Sequence, residues 1–311
     1  MGHGHSHSHG PVPGTGPAST AYRGRLRTVL LITLGVVVAE VVGAALSGSL
    51  ALWADAAHMA ADAAGLAVAL LATHLAHRPP TMRRTFGYQR AEVLAALGNA
   101  ALLLVLAGAV GVQGVERLLH PTPVRPGVML WFGVLALAAN SISLLLLRQG
   151  QAHSINVRGA FLEVLSDALA SAGVIAAAVV VALTGWSRAD AVVSLAIAVM
   201  ILPRAWSLLR EAGEVLLESA PPGVDLEQVR DHLLGEEGVR DVHDLHSWTI
   251  TSGVPVMSAH IVVDEAAFAD GSLPQLLDRL QGCLEGHFDV AHSTLQLEAA
   301  GHGDHEPAAH Q

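Results

Sequence analysis

Six long apolar stretches, separated by short polar breaks, make up most of the first two thirds of the chain. They cover roughly residues 28–46, 50–73, 91–115, 128–147, 160–183 and 190–209. A helix needs about 20 mostly apolar residues to cross a bilayer, and each stretch has about that length. The breaks contain turn residues, prolines and arginines, beginning with Ser47-Gly48-Ser49. The pattern therefore predicts six transmembrane helices.

From about residue 211 the pattern becomes that of a small water-soluble domain. It predicts helices at residues 225–234 and 273–285 and strands at 239–251, 254–263 and 290–297. The order helix, strand, strand, helix, strand indicates a ferredoxin-like α+β half-sandwich. We therefore divide the chain into a disordered His-rich tail at 1–24, a membrane domain at 25–210, a ferredoxin-like domain at 211–299 and a His-rich tail at 300–311.

Composition and charge support this division. The chain is 52% hydrophobic and 14% charged, which is too apolar for an ordinary soluble protein of this length. Up to residue 210 there are 8 acidic residues and 14 arginines, whereas from residue 211 there are 19 acidic residues and 3 arginines. The first part is therefore apolar and mildly basic, and the second part is acidic.

Arginine positions predict how the helices are oriented, because cytoplasmic loops are enriched in basic residues. Nine arginines lie before the first stretch or in the breaks after the second and fourth: Arg23, Arg25, Arg27, Arg78, Arg83, Arg84, Arg90, Arg148 and Arg158. Only Arg117, Arg125 and Arg188 lie on the other side. Both termini are thus predicted to be cytoplasmic. The compact size favours the plasma (inner) membrane of a bacterium.

Ionisable residues inside two predicted spans form regularly spaced pairs. His58 and Asp62 are four residues apart in the second span, as are Glu163 and Asp167 in the fifth. Residues four apart share one helix face, and charged groups are costly in a bilayer. Two such faces could form the tetrahedral nitrogen and oxygen site that zinc prefers. Structural pairing of these groups, or a proton path, is the alternative.

Three further polar residues, Glu40, Asp55 and Asn140, lie in the predicted spans. Asp55 could hold the His58 ring through a hydrogen bond, or it could bond to a neighbouring helix. For Glu40 and Asn140 we favour hydrogen bonds between helices.

The single Cys283 excludes an internal disulfide and a cluster of thiolates. We therefore expect metal chemistry to use imidazole and carboxylate groups.

Several motifs resemble the cation diffusion facilitator family. They are residues 47–62, which end in His-x-x-x-Asp; residues 85–92 before the third span; residues 156–167 in the fifth span; and residues 242–248, 258–260 and 292–298 in the last domain. The resemblance extends over roughly residues 25–299. It implies a homodimer with six spans per protomer and a ferredoxin-like cytoplasmic domain.

The resemblance also implies a function. Members exchange a divalent transition metal for protons, so we expect export of zinc, with cadmium or cobalt as further substrates. Transport-site roles carry over to His58, Asp62, Glu163 and Asp167. The zinc-type pattern often has histidine where this chain has Glu163, and a site with one imidazole and three carboxylates selects zinc less strongly. A manganese or iron exporter of the same fold is therefore an alternative.

Four residues of the cytoplasmic domain match positions where the family binds regulatory metal between protomers: His243, His260, His292 and Glu298. His232 is a further candidate ligand of that site. The alternative is that an acidic domain carries scattered surface histidines. The tails from His3 to His9 and from His302 to His310 could collect zinc loosely, or they could simply be solvated.

The sequence also bears on two other classes of protein. An intramembrane metalloenzyme would need a motif such as His-Glu-x-x-His, and the second span has no glutamate beside His58. A metal sensor with a mere membrane anchor would lack paired ligands in its spans. There is no Walker motif and no lysine to complete one. We therefore expect a transporter, not an enzyme, whose partners are metal ions, protons and lipid, without nucleic acid or an organic cofactor.

Overall fold

The computed structural model describes residues 17–148, 155–251, 253–288, 290 and 292–302. Six long helices come first: α1 (Pro17–Ser47), α2 (Leu50–Ala76), α3 (Ala91–Leu119), α4 (Pro126–Leu147), α5 (Ile155–Thr184) and α6 (Arg188–Leu216). All six are long and apolar enough to cross a membrane. The predicted six-span architecture is therefore confirmed.

Two helices extend beyond the predicted boundaries. Helix α1 begins at Pro17, inside the segment expected to be a disordered tail, and α6 continues to Leu216, past the expected end of the membrane domain at residue 210. Hydropathy identifies only the apolar part of a helix, whereas the backbone hydrogen bonding can continue into polar sequence. The predicted metal-collecting stretches at residues 3–9 and 303–310 lie outside the described residues.

The chain divides into two compact units, one formed by the residues up to 66 together with 99–206, and the other by residues 67–98 together with 207 onward. In the first unit, α4 packs along α1 and α5. Gly133 of α4 permits this close approach, because a Cβ atom there would lie 3.0 Å from Ile175 Cγ1. Small residues commonly serve this purpose between transmembrane helices.

The start of α2 is held by an acidic residue from α6. Asp190 accepts hydrogen bonds from Ser49 Oγ at 2.5 Å, from the Leu50 amide at 2.7 Å and from the Ala51 amide at 3.2 Å. Arg117 Nη1 lies 3.6 Å from the same carboxylate. The first amides of a helix have no partner inside it, so Asp190 both caps α2 and fixes it against α6.

The second unit contains the predicted α/β domain. Its elements are α7 (Leu226–Leu234), β1 (Val239–Thr249), β2 (Pro255–Val263), α8 (Glu265–Asp270), α9 (Leu273–Phe288) and β3 (His292–Ala299). The sheet order is β1-β2-β3, with β1 and β2 antiparallel and β2 and β3 parallel. This is the predicted ferredoxin-like order, with the short helix α8 added.

The two faces of this sheet have different surroundings. Met257 and Ile261 of β2 are fully buried in a core with Leu233 of α7 and Leu280 of α9. Neighbouring residues of a strand point to opposite faces. His260 therefore lies on the face of the sheet that α7 and α9 do not cover.

Candidate functional site

Three of the four predicted transport-site residues form a buried cluster between α2 and α5. His58 Nε2 lies 3.4 Å from Asp62 Oδ2 on the next turn of α2. The same nitrogen lies 4.0 Å from Asp167 Oδ1 on α5. The side chains of His58 and Asp167 are each 5% exposed. The structure therefore brings these two helices together at the residues that the sequence singled out.

The spacing in this cluster is close to that of a coordinated ion. Two nitrogen or oxygen ligands of a tetrahedral zinc ion, each about 2.1 Å from the metal, are roughly 3.4 Å apart. The separation of 3.4 Å between His58 and Asp62 has that value, and the 4.0 Å between His58 and Asp167 is slightly longer. On spacing alone, these groups are therefore candidate ligands of one cation.

Glu163, the fourth predicted ligand, is held by an arginine that sequence reasoning missed. Arg204 of α6 places Nη1 at 2.9 Å from Glu163 Oε1 and Nη2 at 3.3 Å from Oε2. Its Nη1 also lies 3.4 Å from Asp62 Oδ2. Arg204 thus joins a carboxylate of α5 to a carboxylate of α2, which places Glu163 at the edge of the same cluster.

The signal for Arg204 was present in the sequence, since it lies inside the predicted sixth span and charged groups in spans are seldom without a role. Its partners could not be read from spacing, because they lie 41 and 142 residues away. Pro203 precedes it within α6. Proline cannot donate a backbone hydrogen bond, so the helix ladder is interrupted next to the arginine.

The remaining polar residues of the spans take different positions. Asn140 Nδ2 of α4 donates to Ser171 Oγ of α5 at 3.4 Å, which is the helix-to-helix hydrogen bond expected of it. Asp55 and Glu40 are fully buried, and within the described chain their carboxylate oxygens have no hydrogen-bond partner. The Nδ1 atom of His58 likewise has none there. The hydrogen bond from Asp55 to the His58 ring, one of the two interpretations given for Asp55, is therefore not formed among the described residues.

A second cluster lies on the uncovered face of the cytoplasmic sheet. His243 Nε2 of β1 is 3.0 Å from Glu298 Oε1, and His260 Nδ1 of β2 is 3.2 Å from the same oxygen. His302 Nε2 lies 3.7 Å from Glu298 Oε2. The side chain of Glu298 is only 3% exposed. Three of the residues proposed for a regulatory site are thus brought together within one protomer.

The other two residues proposed for that site lie elsewhere. His292 stands six residues before Glu298 on β3, which is roughly 20 Å along an extended strand. Its ring instead packs edge-on against Phe86, with centroids 6.0 Å apart. His232 belongs to α7, on the opposite side of the sheet, where its ring lies 4.5 Å from that of His287. Neither joins Glu298 within the protomer.

Comparison with known proteins identifies the family. The family profile described as the cation efflux transmembrane domain matches residues 26–217, more than half of the chain. The chain belongs to this family. The profile described as the cytoplasmic domain of cation efflux proteins matches residues 221–300. The two matches correspond to the six helices and to the α/β domain.

Full-length relatives agree with this assignment. Metal cation efflux system protein CzcD of Cupriavidus metallidurans is 42% identical over 275 residues, covering 88% of this chain and 86% of the relative. Zinc transporter ZitB of Escherichia coli is 41% identical over 276 residues, covering 88% and 87%. A cadmium, cobalt and zinc/H(+)-K(+) antiporter of Bacillus subtilis is 34% identical over 285 residues, covering 90% and 91%.

Membership of this family decides several earlier alternatives. The chain is a cation efflux transporter of the zinc, cadmium and cobalt family, so the intramembrane metalloenzyme and the anchored sensor are both excluded. It is an integral, multi-pass protein of the bacterial inner membrane. The match to a cytoplasmic domain agrees with the orientation that the arginines predicted.

Proposed function

We propose that this protein exports zinc from the cytoplasm in exchange for protons, and that His58, Asp62, Glu163 and Asp167 bind the ion during transport. The observation that carries the proposal is the approach of His58 to Asp167 across α2 and α5. Zinc is bound by deprotonated imidazole and carboxylate groups, so its binding competes with protons. Protons arriving from the more acidic outer side would therefore release the metal.

Relatives support both halves of the proposal. One is named as a zinc transporter, and another as an antiporter of cadmium, cobalt and zinc against H(+) and K(+). The donor set of this chain is one imidazole nitrogen with carboxylate oxygens, which is harder than a site with two histidines. We therefore expect cadmium and cobalt to be carried as well, with smaller discrimination against manganese and iron than a two-histidine site would give.

Arg204 sets the net charge of the proposed site. When ionised, Asp62, Glu163 and Asp167 carry three negative charges, and the guanidinium beside them carries one positive charge. With a neutral His58, the cluster has a net charge of −2, which a divalent cation neutralises. Glu163 paired with Arg204 is thus equivalent in charge to a neutral ligand. We propose that Arg204 neutralises part of the negative charge of the metal-free site and releases Asp62 as metal enters.

The test measures zinc uptake into inverted membrane vesicles that carry an imposed pH gradient. Asp167→Ala and His58→Ala should each abolish gradient-driven uptake, because each removes one of the two groups that join α2 to α5. His74→Ala is the matched control, since His74 is an exposed histidine on the same helix, outside the cluster. Wild-type uptake by both cluster variants would contradict the site, and uptake that ignores the gradient would contradict proton exchange.

For the cytoplasmic cluster we propose a regulatory metal site in a homodimer. The cluster offers one carboxylate and two imidazoles, since Glu298 Oε1 lies within 3.2 Å of a ring nitrogen of both His243 and His260. A cation there would offset negative charge on an acidic domain and so favour the association of two copies. Size measurements of the full-length protein in detergent, with and without zinc, test this. Dimerisation that is unaffected by zinc would contradict a role in assembly.

A further inference from the structure

The helical layer of the cytoplasmic domain carries a second group of metal-binding side chains that neither transport nor the Glu298 cluster uses. His232 of α7 meets Cys283 and His287 of α9, and one ligand atom from each lies within 4.8 Å of the others. These helices cover the core face of the sheet, whereas His243 and His260 lie on the other face. The group is therefore separate from the Glu298 cluster.

Helix geometry explains why these three side chains meet. Cys283 and His287 are four residues apart on α9 and so project from the same face of the helix. His232 is placed opposite by α7, with its ring 4.5 Å from that of His287 and 5.6 Å from that of Phe288. The two histidines are exposed and Cys283 is buried. The sulfur thus lies at the bottom of the group and the imidazoles at its mouth.

One histidine is already oriented as a ligand. Nδ1 of His287 lies 3.2 Å from the backbone carbonyl of Cys283. A carbonyl only accepts hydrogen bonds, so this nitrogen carries the proton, and in the neutral ring Nε2 keeps its lone pair. A hydrogen bond from the second ring nitrogen to a backbone carbonyl is the usual support of a metal-binding histidine.

The competing explanation is that Cys283 is a core thiol beside two neighbouring histidines. Burial, and then the charge of Glu236, raises the pKa of the Cys283 thiol, so it is protonated in the metal-free protein. Packing alone, however, gives no reason for two imidazoles to flank the sulfur. Thiolate and nitrogen ligands of a tetrahedral zinc ion are roughly 3.6 Å apart, and separations up to 4.8 Å need only rotamer changes to reach that value.

We propose that His232, Cys283 and His287 form a binding site for a thiophilic divalent cation such as zinc, cadmium or cobalt, with water in the fourth position. Binding forms a metal–sulfur bond, and the thiol proton passes to solvent. One sulfur and two nitrogens make a softer donor set than the membrane cluster, so this site favours cadmium and zinc over manganese. The sequence suggested only imidazole and carboxylate ligands; this group adds sulfur to them.

The single cysteine makes the test specific. Cobalt bound to a thiolate produces a charge-transfer absorption in the near ultraviolet, and in this chain only Cys283 can produce it. The full-length, reduced protein in detergent is titrated with Co²⁺. We expect the absorption to grow and to saturate at one equivalent of thiolate-bound cobalt per protomer. No such absorption at saturating cobalt would overturn the proposal.

Variants separate this site from the others. His232→Gln and His287→Gln should weaken the cobalt affinity at least tenfold, whereas His58→Ala and Glu298→Gln should leave the absorption unchanged. Zinc should also slow alkylation of Cys283 in the wild type but not in His232→Gln. This test keeps Cys283 in place, so it does not depend on the folding of a cysteine variant. Equal affinity in wild type and both histidine variants, or equal alkylation with and without zinc, would show an ordinary buried thiol and overturn the proposal.

Discussion

In the membrane unit, Glu163 faces a guanidinium, whereas in the cytoplasmic domain Glu298 faces imidazoles. Arg204 contacts Glu163 at 2.9 Å, and His243 and His260 contact Glu298 at 3.0 and 3.2 Å. A guanidinium keeps its charge at every accessible pH. An imidazole is charged only after it binds a proton. The contacts have similar lengths, but one counter-charge is permanent and the other is conditional.

The difference matches what each site has to do. A carboxylate that loses its counter-charge in a low-dielectric setting costs several kcal/mol, so a membrane site that is emptied in each transport cycle benefits from a permanent cation. Glu298 is buried too, so water and salt screen it little. Its imidazole partners become positive only when they bind a proton, so its counter-charge comes from a proton or from a bound cation, which suits a site that responds to metal.

Among the changes that test this comparison, separating Glu163 and Arg204 should have the largest effect. Glu163→Gln leaves the arginine beside the metal site without its main partner, and Arg204→Gln leaves an excess negative charge that retains the ion. Each single change should lower zinc transport about a hundredfold, equivalent to roughly 2.7 kcal/mol, a moderate figure because Arg204 is 43% exposed. The double variant restores the net charge and should transport within about tenfold of the wild type.

Vesicle uptake measures this double-mutant cycle, and zinc binding in detergent assigns its cause. Arg204→Gln should bind zinc more tightly than the wild type, and Glu163→Gln more weakly. Arg210→Gln is the matched control, because Arg210 is an exposed arginine of α6 whose partner Glu214 is 3.8 Å away. If the double variant loses as much as both single variants together, the two residues act independently and the permanent counter-charge has no role.

The next effect concerns Asp190, a membrane carboxylate partnered by helix amides and by Arg117. Asp190→Ala removes three hydrogen bonds at the start of α2 and should lower the free energy of unfolding by about 2–3 kcal/mol. Asp190→Asn keeps an acceptor and should lose less. The midpoint of thermal unfolding in detergent measures both. Asp278→Ala, at an exposed position of α9, should leave it unchanged; an equal loss would indicate a nonspecific effect.

A smaller effect is expected at Glu298. Glu298→Gln keeps the shape but removes the charge, so the cytoplasmic cluster should bind zinc roughly tenfold more weakly. Transport at saturating zinc should stay near the wild-type rate, in contrast to Glu163→Gln. The measurements are zinc binding to full-length protein that carries His58→Ala and Cys283→Ser, which disable the other two proposed sites, and vesicle uptake without those changes. Glu265→Gln, at an exposed site, is the control. If Glu298→Gln lost as much transport as Glu163→Gln, transport itself would depend on Glu298, which would contradict a purely regulatory role for this residue.

The sequence predicted what depends on local periodicity. Positions four apart placed His58 with Asp62 on one helix face, and the apolar pattern predicted the order of helices and strands in the cytoplasmic domain. The fifth and second spans could be paired because both carried acidic groups that need a common partner. What periodicity could not provide was contact between distant helices. Arg204 and its two carboxylates are such a case, and so is the meeting of His232 with Cys283 across α7 and α9.

The smallest effect tests whether carboxylate partners matter less in the water-exposed domain. Asp225 caps α7 by accepting hydrogen bonds from the amides of Glu227 at 3.0 Å and Gln228 at 3.3 Å. Asp225→Ala should cost about 1 kcal/mol, less than Asp190→Ala, because water can solvate the freed amides of α7 and cannot reach those of α2. Asp225→Ser keeps a capping oxygen and should recover most of the loss. The midpoint of thermal unfolding compares them, and a larger loss for Asp225→Ala than for Asp190→Ala would show that solvent exposure does not set the cost.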